Sequence, residues 1–250
     1  MRILVCNDDG FEAPGLHLLA KVARTMARDV WVVAPDRKWT AASHQLSFDR
    51  DLTLTRMGER AYACSGAPAD CVLAAMAVLF VDGPQPDVVL SGVNDKRNVG
   101  EDIAYSGTMA IAREATFWGV PAIAVSQGSP AIDGSAEFDA LCRLVPALWN
   151  SRDQWAAEGH WLGVNLPGVL PAPVVQAHVG RDKIASACDI LASTPERLVY
   201  RIRRGRPGTV TTGDENSQIA AGRITVVRHR WYTEAPLPDA VVAAWSGSVA

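Results

Sequence analysis

Apolar residues fall into short unbroken runs separated by segments with helical spacing. The first run is Ile3-Leu4-Val5-Cys6, closed at once by Asn7-Asp8-Asp9-Gly10. A run of this length ended by a Gly reads as a buried parallel strand. Pro14 and Gly15 then open a segment in which Leu16, Leu19, Ala20, Val22, Ala23 and Met26 recur at helical spacing, with Pro at a first-turn position. Val30-Trp31-Val32-Val33-Ala34 is the next strand, ended by Pro35-Asp36. Strand, helix and strand in this order make a βαβ unit with a right-handed crossover.

The rhythm continues. Leu46, Phe48, Leu52 and Leu54 alternate with polar residues and predict one or two β segments, and Ala61-Tyr62-Ala63-Cys64 is strand-like. Ser65 to Asp70 predicts a turn into a helix over 71–80, with Asp70 suited to the first-turn dipole. Asp87-Val88-Val89-Leu90 is a third parallel-type strand, ended by Ser91-Gly92-Val93-Asn94. Ser106-Gly107-Thr108 precedes a helix over 109–118, Pro121 to Val125 is a fourth strand, and Phe138 to Trp155 is one long helix. Trp161 to Asn165 is a fifth strand. The alternation predicts an α/β fold: a Rossmann-like, mostly parallel sheet with helices on both faces. No internal repeat or low-complexity segment interrupts it.

Pro167, Pro171 and Pro173 mark a change of character. Beyond them Val174–Val179, Leu198–Ile202 and Ile224–Val227 are strand-like, and Ala240–Trp245 is a short helix candidate. The expected organisation is an α/β catalytic core over 1–166 and a β-rich C-terminal extension over 167–250, an oligomerisation arm within one structural domain. Arg201, Arg203, Arg204 and Arg206 near its middle fit a solvated strand and turn, with a site for phosphates or an acidic partner as the other reading.

The chain has 250 residues, an apolar fraction of 48% and 24 basic against 27 acidic residues. That is enough for a sizeable core, and the balance argues against a general nucleic-acid or membrane-surface binder. Asp8 and Asp9 interrupt the only apolar stretch placed like a leader, and no run is long enough to span a bilayer. The five cysteines show no CxxC spacing, so they read as reduced, mostly buried thiols of a cytoplasmic protein.

In an open α/β sheet, ligands bind at the carboxyl ends of the strands. Asp8 and Asp9 end the first strand, Thr40 lies in the loop after the second, and Asn94 follows the third. Two carboxylates, a hydroxyl and an amide oxygen suit a hard cation, Mg²⁺ or Mn²⁺, and no His or Cys cluster suggests zinc. Each of these residues taken singly is also an ordinary turn residue. Asn98 and Ser106-Gly107-Thr108 add hydroxyls and free N–H groups at a helix N-terminus, which is an anion site or simply an N-cap. A cation site beside an anion site suggests a phosphate ester bridging them, attacked by water that an ionised Asp orients or deprotonates.

The segments Ile3 to Gly10 with Ala13-Pro14-Gly15, Val33 to Arg37, Gly66 to Cys71, Ser91 to Asn94 and Tyr105 to Thr108, in this order and spacing, resemble the SurE survival-protein family. The resemblance implies a metal-dependent phosphomonoesterase acting on nucleoside 5′- and 3′-monophosphates, in some members also on short polyphosphate. It implies catalysis at Asp8 and Asp9, one divalent metal per subunit held by Asp8, Asp9, Thr40 and Asn94, and phosphate contacts from Asn98, Ser106, Gly107 and Thr108. It also implies a homodimer or homotetramer built partly by exchange of the C-terminal arm.

The chain departs from the family pattern in places. Thr40-Ala41 stands where Ser-Gly is usual, and Asp95-Lys96-Arg97-Asn98 replaces a segment with Gly two residues after the Asn. Lys96 and Arg97 therefore stand at the mouth of the expected site, either gripping substrate or as solvated loop charges. Beyond about residue 167 the match is confined to Gly213-Asp214 and Ala221 to Val226. The rival readings are a nucleotide-binding protein of the same fold with weak or no turnover, and a receiver-like domain, which needs only about half this length. A dinucleotide-binding reading fails because no G-x-G-x-x-G follows the first strand.

Overall fold

The computed structural model describes residues 1–127, 134–181, 185–204, 211–232, 235–241 and 245. The expected α/β fold is present. Strands β1 (Arg2–Cys6), β2 (Asp29–Pro35), β3 (Leu54–Gly58), β4 (Ala61–Cys64), β5 (Val88–Asn94), β6 (Ala122–Gln127), β7 (His160–Leu166), β8 (Val174–Gln176) and β11 (Ile224–Arg230) form one nine-stranded sheet. Its order is β3-β4-β2-β1-β5-β6-β7-β11-β8. The stretch from β4 to β7 is parallel, while β3 and β11 pair antiparallel with β4 and β7. Thus β8 and β11, from beyond residue 166, complete the main sheet. Strands β9 (Ala185–Ser193) and β10 (Leu198–Arg204) form a separate antiparallel pair. It leaves Ile190, Leu191, Leu198, Tyr200 and Ile202 exposed.

The sheet has a core on each face. Helices α1 (Pro14–Met26) and α5 (Ser135–Asn150) cover one face, burying Leu16, Leu19, Leu141 and Val145 against Ile3, Val5, Leu90 and Ile123. Helices α2 (Pro68–Ala74) and α4 (Gly107–Phe117) cover the other, where Val72, Met76, Met109 and Ile111 meet Leu4, Val33 and Val89. Each fully buried Leu or Ile contributes about 2 kcal/mol by removal from water. Because strand faces alternate, Leu4 and Val5 serve opposite cores, which explains the unbroken apolar runs.

Some expectations are corrected. Leu46 to Leu52 forms no strand: Asp49 sits at φ 59°, Phe48 is exposed, and Asp70 Oδ1 takes the Ser47 N–H. The alternation there belongs to a loop. Ser91 to Asn94 continues β5 rather than ending it. The helix expected over 71–80 begins at Pro68 and finishes in a wider turn over Ala75–Leu79. The helix expected from Phe138 to Trp155 is interrupted at Ser151, after which α6 (Arg152–Trp155) turns back so that the Trp155 indole donates to Leu148 O. Of Ala240–Trp245, residues 242–244 lie outside the described residues, as does Arg206. Three elements escaped the pattern: β9, the short helix α3 (Asp102–Tyr105) and α7 (Glu215–Ala220). Cys6, Cys64 and Cys71 are buried thiols, Cys142 is half-buried and Cys188 exposed. Among the described residues, no helix is long and apolar enough to cross a membrane.

Candidate active site

β1 connects through α1 to β2 on one side, while its other neighbour is β5. Chain direction around the sheet therefore reverses between β1 and β5, and a crevice opens beyond their carboxyl ends. Asp8 and Asp9 leave β1 there, and Asn94 ends β5. A cavity of about 270 Å³ fills the crevice. Asp8, Asp9, Thr40, Asn94, Asn98 and Ser106 all line it. Lys96 and Arg97 line it too, at its loop side.

Asp8 is buried, and its Oδ1 accepts from the Thr108 hydroxyl at 2.5 Å. Burial pushes its carboxyl up to about 7; the Thr108 bond pulls it down and the neighbouring Asp9 charge pushes it up again. Asp9 Oδ2 accepts from Asp95 N at 3.1 Å, and its Oδ1 lies 2.5 Å from the Lys38 ammonium. Lys38 also reaches Asp95 Oδ2 at 2.6 Å. Burial lowers the Lys38 pKa, but the bonds to Asp9 and Asp95 outweigh it and hold the ammonium above its ordinary value. Asn94 Nδ2 donates to Lys96 O at 2.6 Å, which leaves the amide oxygen as its free donor atom for a cation.

The anion side is built by α4 and the loop before it. Ser106 caps α4, its Oγ accepting from Met109 N at 3.1 Å. Gly107 lets the helix close on the acid pair: a Cβ there would lie 2.6 Å from the Asp8 Cβ. The first-turn N–H groups have no intrahelical partner and face the positive end of the dipole. Asn98 is clamped from beneath. Its N–H donates to Asn165 Oδ1 at 2.9 Å, Asn165 Nδ2 donates to its carbonyl, and its Nδ2 donates to Ser126 Oγ at 2.8 Å.

Two expected phosphate contacts sit differently. Gly107 and Thr108 lie behind the cavity wall, with Thr108 fully buried and its hydroxyl committed to Asp8. A sequence shows that Thr108 opens a helix but not which way its hydroxyl turns. Ala41, beside Thr40, lines the cavity as well, and Lys38, Trp39, Asp95, Asp102 and Tyr105 complete the lining without having carried an expectation of their own. Lys38 was open to detection, since it stands two residues before Thr40 in the same loop. Asn165 and Ser126, at the ends of β7 and β6, gave no signal.

The oxygen-only donor set suits a hard divalent cation. Among the described residues, no three His, Cys, Asp or Glu side chains are placed to hold a metal, so such an ion would depend on Thr40 and Asn94 beside the acid pair.

A family model described as survival protein SurE matches residues 3–187. The chain belongs to the SurE family. It is 40% identical over 194 residues to a 5′-nucleotidase SurE of Paramagnetospirillum magneticum, covering 72% of this chain and 69% of that one. A 5′-nucleotidase SurE of Mesorhizobium japonicum is 42% identical over 178 residues, covering 70% of each chain. One of Methylocella silvestris reaches 51% identity over 127 residues, covering 51% of this chain and 50% of that one. The crystal structure of the SurE protein from Aquifex aeolicus superposes with a TM-score of 0.78 at 27% identity, covering 100% of this chain and 99% of that one.

Proposed function

We propose that this protein is a metal-dependent phosphomonoesterase that releases phosphate from nucleoside 5′-monophosphates, and from 3′-monophosphates as well. The observation that carries the reading is one cavity in which the Asp8 and Asp9 carboxylates face Ser106 at the N-terminus of α4. Relatives named 5′-nucleotidase SurE support the 5′ assignment.

Asp8, Asp9, Asn94 and Thr40 would hold one Mg²⁺ or Mn²⁺ ion. Such an ion supplies Lewis acidity to the phosphoryl group and acidifies water. Asn98, Ser106 and the first turn of α4 hold the phosphate, with Lys96 and Arg97 at the mouth. An ionised carboxylate of the acid pair orients the attacking water and takes its proton. Water oxygen bonds to phosphorus as the ester P–O bond breaks, and the carboxyl group returns that proton to the leaving nucleoside oxygen.

Lys38 favours a second reading, a nucleotide-binding protein of little turnover. Its ammonium already pairs with both Asp9 and Asp95. The Lys38 side chain is half exposed on a flexible stem, however, and can leave when a divalent ion arrives. The working protein would be a cytoplasmic homodimer or homotetramer.

The deciding experiment measures phosphate release from 5′- and 3′-mononucleotides with Mn²⁺, with Mg²⁺ and with chelator. Release that needs metal and stops with chelator supports the hydrolase. No release from any nucleotide by the folded protein, with binding retained, gives the second reading.

A further inference from the structure

Glu215 is fully buried at the start of α7, in the C-terminal third of the chain. Its Oε2 accepts from Gly100 N at 3.2 Å and from Gly180 N at 3.4 Å. Asp214 caps the helix, taking the N–H of Ser217 on Oδ1 and of Thr211 on Oδ2, both at 2.7 Å. Asp214 thus does the local work of starting α7, and Glu215 is free to reach outward. Placing a carboxylate in the interior without a paired cation is costly. No ion pair joins Glu215 to a base among the described residues; Arg181, next to Gly180, pairs with Glu101 at 2.6 Å. The two backbone amides offset part of that cost at Oε2, while Oε1 is buried without a partner among the described residues.

One of those amides, that of Gly100, lies in the segment between two residues of the cavity wall. Gly100 lies at φ 55°, two residues after Asn98 and two before Asp102, both of which line the cavity. Its carbonyl accepts from Ile103 N at 3.3 Å, which starts the short helix α3 (Asp102–Tyr105). Asp102 O in turn accepts from Ser106 N at 2.9 Å. A contact at Gly100 therefore bears on Asn98 upstream and, through one short helix, on Ser106 downstream.

We propose that Glu215 is a positioning residue that sets the phosphate-binding wall of the active site from the C-terminal segment. Asn98 is tied to β6 and β7 by its own hydrogen bonds. Ser106 is held from its C-terminal side through Thr108, whose hydroxyl donates to Asp8 and whose carbonyl accepts from Ser91 Oγ at 2.8 Å, and from its N-terminal side by the run from Gly100 through α3. Loss of the Glu215 contact loosens the groups that hold phosphate while leaving Asp8 and Asp9 on β1. The effect falls on substrate binding more than on the chemical step.

The inference rests on the phosphoesterase reading, and two measurements separate their failures. The first compares Glu215→Ala, Glu215→Asp and Glu215→Gln with the parent chain on a nucleoside 5′-monophosphate with Mn²⁺. Ala and Asp, which lack the reach to Gly100, should raise KM about tenfold with kcat within about threefold. Gln keeps an acceptor oxygen at full length and should restore KM. The second follows amide hydrogen exchange over 98–106, which needs no turnover: exchange should quicken in the Ala and Asp variants and return in Gln. Unchanged KM and exchange in the Asp variant would overturn the proposal, and so would a loss shared equally by kcat and KM. If the Ala variant does not fold, the Asp variant decides. A parent chain that releases no phosphate defeats the phosphoesterase reading alone, and exchange then decides the role of Glu215.

Discussion

The Thr108 hydroxyl donates to Asp8 Oδ1 across 2.5 Å, joining the first turn of α4 to the end of β1. Both residues are buried, so the bond forms away from competing water. It makes Thr108 a support for the acid pair. Thr108→Val keeps the shape but leaves the buried Asp8 short of a partner. The variant should lose about 1–3 kcal/mol of stability and most of its phosphatase activity, while Thr108→Ser keeps both. Denaturant unfolding and phosphate release on the three proteins check this. Asp8→Asn should lower phosphate release by about a hundredfold or more, with the circular dichroism of the parent chain. Full activity in Asp8→Asn would remove the acid pair from the mechanism.

Lys38 stands where the proposed divalent ion would bind. Its ammonium is 2.5 Å from Asp9 Oδ1 and 2.6 Å from Asp95 Oδ2. Removing it takes away a like charge that any cation must displace. Lys38→Met should therefore bind Mn²⁺ several-fold more tightly than the parent chain in calorimetry without nucleotide. Weaker Mn²⁺ binding in that variant would mean that the lysine supports the site rather than competing for it.

Two buried groups away from the acid pair give the stability opposite pH slopes. Burial pushes Glu215 up to about 7, against the Gly100 and Gly180 amide bonds; the charges of Asp214 and Asp102 push the same way. A carboxyl with a raised native pKa binds its proton more tightly folded than unfolded. Stability from Glu215 is therefore greatest at low pH and falls as pH rises from about 4.5 towards 7, by on the order of 3 kcal/mol at most. Burial, with the Arg113 charge, lowers His229 to about 4. That contribution is whole above about 6.5 and is lost as pH falls towards 4. Glu215→Gln removes only the first slope. Its stability relative to the parent chain should rise between pH 5 and pH 8 in urea unfolding, and a constant difference would contradict the assignment.

The sequence was most legible where burial is symmetrical. Runs such as Ile3 to Cys6 are covered on both faces, so their apolar character is continuous and their ends are sharp. That symmetry revealed the parallel sheet and put Asp8, Asp9 and Asn94 at one edge. It failed where polarity is mixed. Strand β9 includes Cys188 and Asp189 beside Ile190 and Leu191, and α7 buries only Ile219 among its apolar residues. Glu215 follows the capping Asp214 and resembles any solvated first-turn acid. Only the fold shows that it faces Gly100 from 115 residues away. Orientation was equally hidden at Thr108, where the residue type suits a phosphate contact and the hydroxyl turns instead to Asp8.

Trp39 and Tyr105 are the aromatic residues lining a cavity otherwise built mainly from charged and polar groups. The Trp39 backbone N–H donates to Asp8 O at 2.8 Å, the Arg37 guanidinium lies 4.8 Å from its ring centre, and its indole N–H is buried without a partner among the described residues. Tyr105 is anchored through its carbonyl, which accepts from Ser43 N at 2.9 Å. Aromatic rings beside the proposed phosphate site can stack a nucleobase, a contact worth about 1–3 kcal/mol. Trp39→Ala should therefore raise KM for a nucleoside monophosphate by about fivefold to a hundredfold. The same variant should leave KM for glycerol phosphate, which has no ring, nearly unchanged. Parallel kinetics on both esters check this, because a loss shared equally by the two would show that Trp39 only braces Asp8. A loss confined to the nucleotide identifies the aromatic wall as the part of the site that selects a base.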